Sequence, residues 1–174
     1  MSEMIPFWKS VEGSDVLQGD WLPGCAIPVF HPKEGSDDLD EDVPLEASDL
    51  IVVSQSCDLE QDKTPFVAMC RILSIAEFEE EQGKPLGKRW EEVRKGRHEG
   101  LHLLASPTEP ENNQASLVVD FRLVVSLPVG YVRHRAYSVG QRWRLDSPFL
   151  EHFSQAFARF FMRVGLPSAI PQFK

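Results

Sequence analysis

Five polar or nucleophilic side chains, Ser54, Gln55, Ser56, Cys57 and Asp58, follow directly on the apolar stretch Leu50 to Val53. Polar groups bunched where a buried strand gives way to a loop are where binding and catalytic sites are commonly built. A Cys57 thiolate could act as a nucleophile if a base or a helix N-terminus lowered its pKa, and His102 and His98 are the histidines close to strand-like sequence that could serve as that base. Asp58 works against this, because a neighbouring carboxylate raises a thiol's pKa. In the alternative, Cys57 packs as a small hydrophobe while Ser54, Ser56 and Asp58 bond the backbone of a turn. Cys57, Asp58 and His102 are the catalytic candidates, and Ser54, Gln55, Ser56, Cys57 and Asp58 form a first candidate binding surface.

A second surface is basic. Lys84, Lys88, Arg89, Arg94, Lys95 and Arg97 surround Trp90, and Arg133, Arg135, Arg142 and Arg144 could extend the patch. Cationic side chains could meet phosphates while Trp90 stacks on a base. Glu91, Glu92 and Glu99 in the same stretch favour instead a solvated helix laced with ion pairs. Lys88, Arg89, Trp90, Arg94 and Arg97 are its binding candidates, with nucleic acid as one possible partner.

Metal and cofactor motifs are weak. There is no Cys-x-x-Cys, the pair His98 and His102 is flanked by Gly96 and Gly100, and a zinc set of Cys25, Cys57 and His102 has no spacing to support it. The acidic run Lys33 to Asp42 lacks the central glycine and closing glutamate of a calcium loop. Neither a glycine-rich phosphate loop nor a Gly-x-Ser-x-Gly elbow occurs. No metal and no cofactor is expected.

The elements that would position these residues follow from periodicity. Leu50–Val53 and Phe66–Ile75 are apolar runs of strand length and should lie side by side with the polar segment as a loop at the sheet end. Residues 14–22 and 25–30 suggest two short strands about a turn at Pro23-Gly24. Ser116 to Val125 alternates most clearly, placing Leu117, Val119, Phe121, Leu123 and Val125 toward the core. Leu101–Ala105 and Gln141–Leu145 suggest further short strands, the latter with Trp143 inward. Gly83, Pro85 and Gly87 divide the charged stretch 76–97 into two short helices or a helix and a loop. Over 148–164, Leu150, Phe153, Phe157, Phe160 or Phe161 and Val164 form one apolar helical stripe, with Ser147 as its cap and Gly165 and Pro167 as its stop. The stripe should close the open face of the domain's own sheet. The acidic stretch 33–46 should be a mobile surface loop.

Composition sets the frame. A chain of 174 residues, 42% hydrophobic and 26% charged, suits one domain spanning 1–174 with a real core. Its apolar runs are too short to cross a bilayer, Met1 to Trp8 has no secretory pattern, and three cysteines in an odd count suit reduced thiols. A cytoplasmic protein without membrane contact is expected. Charge is uneven: residues 1–62 hold 15 acidic and 2 basic side chains, net −13, whereas 63–174 hold 12 and 16, net +4. An acidic and a basic face on one body favour an oriented, charged partner.

Gln18-Gly19-Asp20-Trp21, together with Asp49–Ser56 and the apolar strand after it, resembles the start of the PemK/MazF family of toxin endoribonucleases over about 60 residues. The resemblance implies an SH3-like barrel and metal-independent RNA cleavage, with Ser54 nearest the family's strand-end serine. The family's basic, proline-containing stretch is here acidic, and Cys57 and Asp58 have no counterpart in it. Ser-Gln-Ser-Cys-Asp-Leu and the closing Arg-Val-Gly-Leu-Pro are similar to strings in small bacterial proteins. The fold expected is α+β: a bent, mainly antiparallel sheet or small SH3-like barrel, a charged helical insertion at 76–97 and a C-terminal amphipathic helix. The function expected is a non-catalytic binding or accessory module of a bacterial toxin-antitoxin or phage-defence system, with a protein partner. A PemK/MazF-like endoribonuclease and a cysteine-dependent hydrolase are the alternatives.

Overall fold

The computed structural model describes residues 5–29 and 43–162. The elements in chain order are β1 (Trp8–Val11), β2 (Trp21–Pro28), β3 (Leu45–Val52), α1 (Ser56–Glu60), β4 (Phe66–Ser74), α2 (Ile75–Gln82), α3 (Arg89–Arg94), β5 (Leu101–Leu104), β6 (Leu117–Pro128), α4 (Val129–Val139), β7 (Arg142–Leu145) and α5 (Phe149–Phe161). A five-stranded antiparallel sheet has the order β2-β3-β4-β6-β5, and β1 pairs with β7 in a separate two-stranded sheet. The mixed α and β, mainly antiparallel architecture matches the sequence pattern, but no closed barrel forms among the described residues. β2 and β5 are the two edges of the larger sheet. No helix among the described residues is long and apolar enough to cross a membrane.

Strand periodicity divides the core between the two faces of the larger sheet. On one face, Leu50, Val52, Val67 and Met69 pack with Leu59 of α1 and with Val132 and Ala136 of α4. Farther along that face, Leu101 and Val118 pack with Phe78 of α2 and Val93 of α3. On the opposite face, Ile51, Val53, Cys70, Ile72, Val119 and Phe121 meet Trp8, Leu145 and Phe153. The C-terminal stripe therefore closes its own domain: Phe153 is fully buried and Leu150, Phe157 and Phe160 pack beside it.

Several boundaries differ from the sequence pattern for physical reasons. β2 is one strand running through Pro23-Gly24, because the chain absorbs the turn signal as a bulge between Leu22 and Cys25. Glu46 and Leu45, placed in the acidic loop by composition, begin β3, and residues 30–42 of that loop lie outside the described residues. In β6 the register jumps, so that Cys70 faces Val124 while Arg71 faces Asp120. Residues 121–123 are extra on the β6 side, which leaves Leu123 46% exposed and turns Val125 onto the α4 face. Ser147 does not cap α5; its hydroxyl donates to Glu151 Oε1 at 3.1 Å. Val164 lies outside the described residues. In β7 the deeply buried side chains are Arg142 and Leu145, and Trp143 is only half-buried.

Arg142 belongs to the contact that joins the two sheets. Asp20, fully buried, accepts from Arg142 Nε and Nη2 at 3.2 and 3.1 Å and from Arg144 Nε and Nη2. The remaining Arg142 donors reach the carbonyls of Gly13 and Asp15 at 2.7 and 2.5 Å. Asp20 is held in place by its own backbone, which accepts from Val52 N at 3.0 Å. Beside it Gly19 has φ +83°, and a Cβ there would lie 2.9 Å from Leu150 Cδ1 and 3.0 Å from Leu145 Cβ. Both the left-handed backbone and the close approach of α5 require glycine.

Candidate binding groove

The polar strand end is a built turn. Ser54 N donates to Ala68 O at 3.2 Å while Ser54 Oγ accepts from Ala68 N at 2.8 Å, so β3 and β4 remain tied past the last ladder pair. Ser56 Oγ accepts from Gln18 N at 3.2 Å, and Gln18 Nε2 donates to Val53 O at 3.0 Å. Both hydroxyls are thus occupied by backbone, and the segment winds into the short helix α1, with Leu59 as its buried anchor. Gln55 and Cys57 project outward. Cys57 Sγ lies 3.7 Å from Gln55 Oε1 and 3.8 Å from Asp58 Oδ1.

His102 does not meet Cys57. It sits on β5, separated from β3 by β4 and β6, and its ring lies against Phe121 and Phe153 with centroids 5.8 and 5.7 Å away. That is the α5 face of the sheet, whereas α1 anchors on the α4 face. Burial, with a smaller push from His152, lowers the His102 pKa to about 4, so the ring is neutral at pH 7. The sequence pattern places the two residues near strands but cannot say which face of the sheet each strand presents.

Burial pushes the Cys25 thiol up to about 11 and the Cys70 thiol up to about 12. Native protein treated with iodoacetamide at neutral pH should therefore take up label at Cys57 alone, with Cys25 and Cys70 reacting only after denaturation, as peptide mass mapping would read. This order follows from exposure, so selective labelling of Cys57 does not by itself indicate a nucleophile. Label on Cys70 in the folded protein would contradict its burial between the sheet and α5.

The insertion is organised by its own carboxylates. Trp90 is half-buried, donates from Nε1 to Glu79 Oε1 at 2.8 Å and packs edge-on against Phe78 at 5.7 Å. That indole bond, with a second from Leu86 N, holds the Glu79 carboxyl below its usual pKa. Arg94 forks onto Glu91 with two bonds of 2.7 Å, Lys95 adds a 3.1 Å contact, and Arg97 pairs with Glu92. The two cations on Glu91 lower its pKa to about 2. Lys88 and Arg89 are exposed at the start of α3. The arginines that could have extended a phosphate-binding patch turn elsewhere: Arg133 to Asp62, Arg135 to Pro23 O, and Arg142 and Arg144 inward onto Asp20. Arg142 is buried and cannot reach a nucleic acid.

What the insertion does build is one wall of a groove. A cavity of about 640 Å³ runs between α3, β5 and α5, lined by Arg94, Lys95, His98, His102, His152 and Arg159 among others. Phe7, Arg94 and Leu103 also line a second cavity of about 430 Å³, which continues past Trp90 to Asn113 and Gln114. His98 and Glu99 lead on to a third of about 350 Å³ bordered by Gly100 and Arg122. The second and the third each share lining residues with the first, which itself runs along β5. His152, Gln155 and Arg159 reach the groove because they are three and four residues apart on α5, on the flank of the helix beside its apolar stripe. Their spacing was legible in the sequence, but the phenylalanines on the same helix gave the stronger pattern. Phe7 lies outside any periodic run and comes to the rim through its stack on Phe149, centroids 3.5 Å apart. No group of histidine, cysteine and carboxylate side chains among the described residues has metal-binding geometry.

No family model matches the chain, and no curated protein does.

Proposed function

We propose that the chain is a non-catalytic binding module that engages a protein partner through the groove along β5. The observation that carries this reading is a run of three adjoining cavities, the largest of the three between α3 and α5, lined by apolar surface and by cationic side chains in a chain of net charge −9. Grooves of this size with a few polar groups on rigid elements are where ligands bind. Cys25, Cys57 and Cys70 are all free thiols, in keeping with a cytoplasmic setting. We read such a module as an accessory component of a bacterial toxin-antitoxin or phage-defence system, a reading that rests on the short strings similar to those of small bacterial proteins. The residues a PemK/MazF-like nuclease or a cysteine hydrolase would use, Ser54, Cys57, Asp58 and His102, are divided between two faces of the sheet.

Affinity capture from host extract should recover a protein on the wild-type chain and lose it on a Lys95→Glu, Arg159→Glu double variant of unchanged melting temperature. Both side chains are exposed, so the substitutions leave the core intact. Equal recovery by both would remove the groove as the contact surface. Metal-independent RNA cleavage abolished by Ser54→Ala would replace the binding reading with the nuclease one.

A further inference from the structure

Resting on that reading, we infer that β5 takes an extended acidic segment of the partner protein as an additional strand. β5 is an edge strand, paired through Leu101–Leu104 to β6 alone among the described residues. Phe121 N donates to Gly100 O at 2.9 Å. Antiparallel alternation then makes His102–Val119 and Leu104–Leu117 the hydrogen-bonded pairs and turns the N–H and C=O of Leu103, and the C=O of Leu101, away from β6. Leu101 N–H is taken by His98 O at 3.2 Å, and Ala105 O by Trp8 Nε1 at 2.7 Å. The Leu103 groups open into the groove, since Leu103 lines both of its larger cavities. A free strand edge running along a groove offers backbone bonds for affinity and walls for alternate side chains, which is how extended peptides are recognised.

The walls set the chemistry of the segment. One is α3, with Val93 and half-buried Trp90; the other is Phe7 and the Ala156 flank of α5. Arg94, Lys95, Arg97, Arg122 and Arg159 line the three cavities together with Glu91 and Glu99. Arg94 and Lys95 share Glu91, Arg97 pairs with Glu92 and Arg122 with Asp120, so the charge offered to a ligand comes chiefly from Arg159 and from the two cations that share one carboxylate. Among the described residues Arg159 has no carboxylate within ion-pair distance, so it can receive one from a ligand. His102 adds no charge, because burial keeps it neutral. A peptide alternating acidic and apolar residues complements this surface. A nucleic acid would meet the same cations but has no backbone that can join a strand edge.

The test uses a fluorescent decapeptide alternating glutamate and valine, a lysine–valine counterpart, a form of the first N-methylated at alternate amides, and a single-stranded oligonucleotide. The full chain should bind the acidic peptide by anisotropy and slow amide exchange at Leu103 and Ala105. Binding should weaken about tenfold or more on N-methylation and on Arg159→Glu, and the lysine–valine peptide should not bind. Equal binding of the methylated and unmethylated forms overturns strand addition. So does oligonucleotide binding in the groove where the acidic peptide fails. In either case, continued loss of the host protein on the Lys95→Glu, Arg159→Glu variant would leave the groove as the contact surface, whereas equal recovery would remove both.

Discussion

Replacing Asp20 by alanine should lower the stability of the fold by about 3–5 kcal/mol, because removing one partner of a buried ion pair leaves uncompensated charge in the interior. Arg142 is fully buried and Arg144 nearly so, and both direct two donors at this one carboxylate. Asp20→Asn keeps the shape and removes the charge, so it should cost most of the same amount. Glu46→Ala, on an exposed position of β3, should change stability by less than about 0.5 kcal/mol. Urea unfolding of the three variants decides the matter. A cost below about 1 kcal/mol for Asp20→Ala would mean that the arginines are satisfied by the carbonyls of Gly13 and Asp15 and that the carboxylate is dispensable. Total stabilities of such domains are about 5–15 kcal/mol, so the expected loss puts the variant close to unfolding at ambient temperature.

Phe153→Ala should be nearly as costly, about 3–5 kcal/mol, as is typical for emptying a buried aromatic site. Phe153 is fully buried, with its ring against His102 and Phe121, each with centroid separation 5.7 Å. The surroundings are β-sheet on one side and the β1–β7 pair on the other, neither of which can collapse into the space. The loss should be independent of protein concentration, since α5 docks on its own domain. A midpoint that moves with concentration would instead place the helix against a second subunit. Phe161→Ala, on the exposed end of the same helix, should cost little.

How much of this was legible before the fold was known depended on whether the signal was local. The end of β3, Leu50–Val52, and most of β4 form apolar runs that pack on both faces of the sheet, and their neighbouring placement followed from length and composition. The stripe of α5 has a helical period that no strand could use, and Gly83 and Gly87 marked the break between α2 and α3. α4 was missed because Val129–Val139 buries only Val132 and Ala136 and carries three valines and a glycine, a weak helical pattern. The bulge in β6 cannot be read from β6, since the three extra residues are defined only against β4. The site divides in the same way. Ser54 and Ser56 could be recognised as turn residues from their types, and the basic insertion from its charges. The groove depends on α3 and α5 standing on either side of one edge strand, and the Asp20 contact on partners 122 and 124 positions away.

The pairing of β1 with β7 gives the fold a temporal order during synthesis. Trp8 and Asp20 leave the ribosome before their partners Leu145, Arg142 and Arg144, which emerge only after more than a hundred further residues have been made. Until then the nascent chain can form the β3–β4 hairpin with its neighbours but has nothing to cover the Phe121 face, and a buried carboxylate has no counter-charge to enter with. Long-range contacts of this kind slow folding and prolong exposure of apolar surface. Residues 142–161 therefore act as a clasp: translation must deliver them before β1 has a place to go.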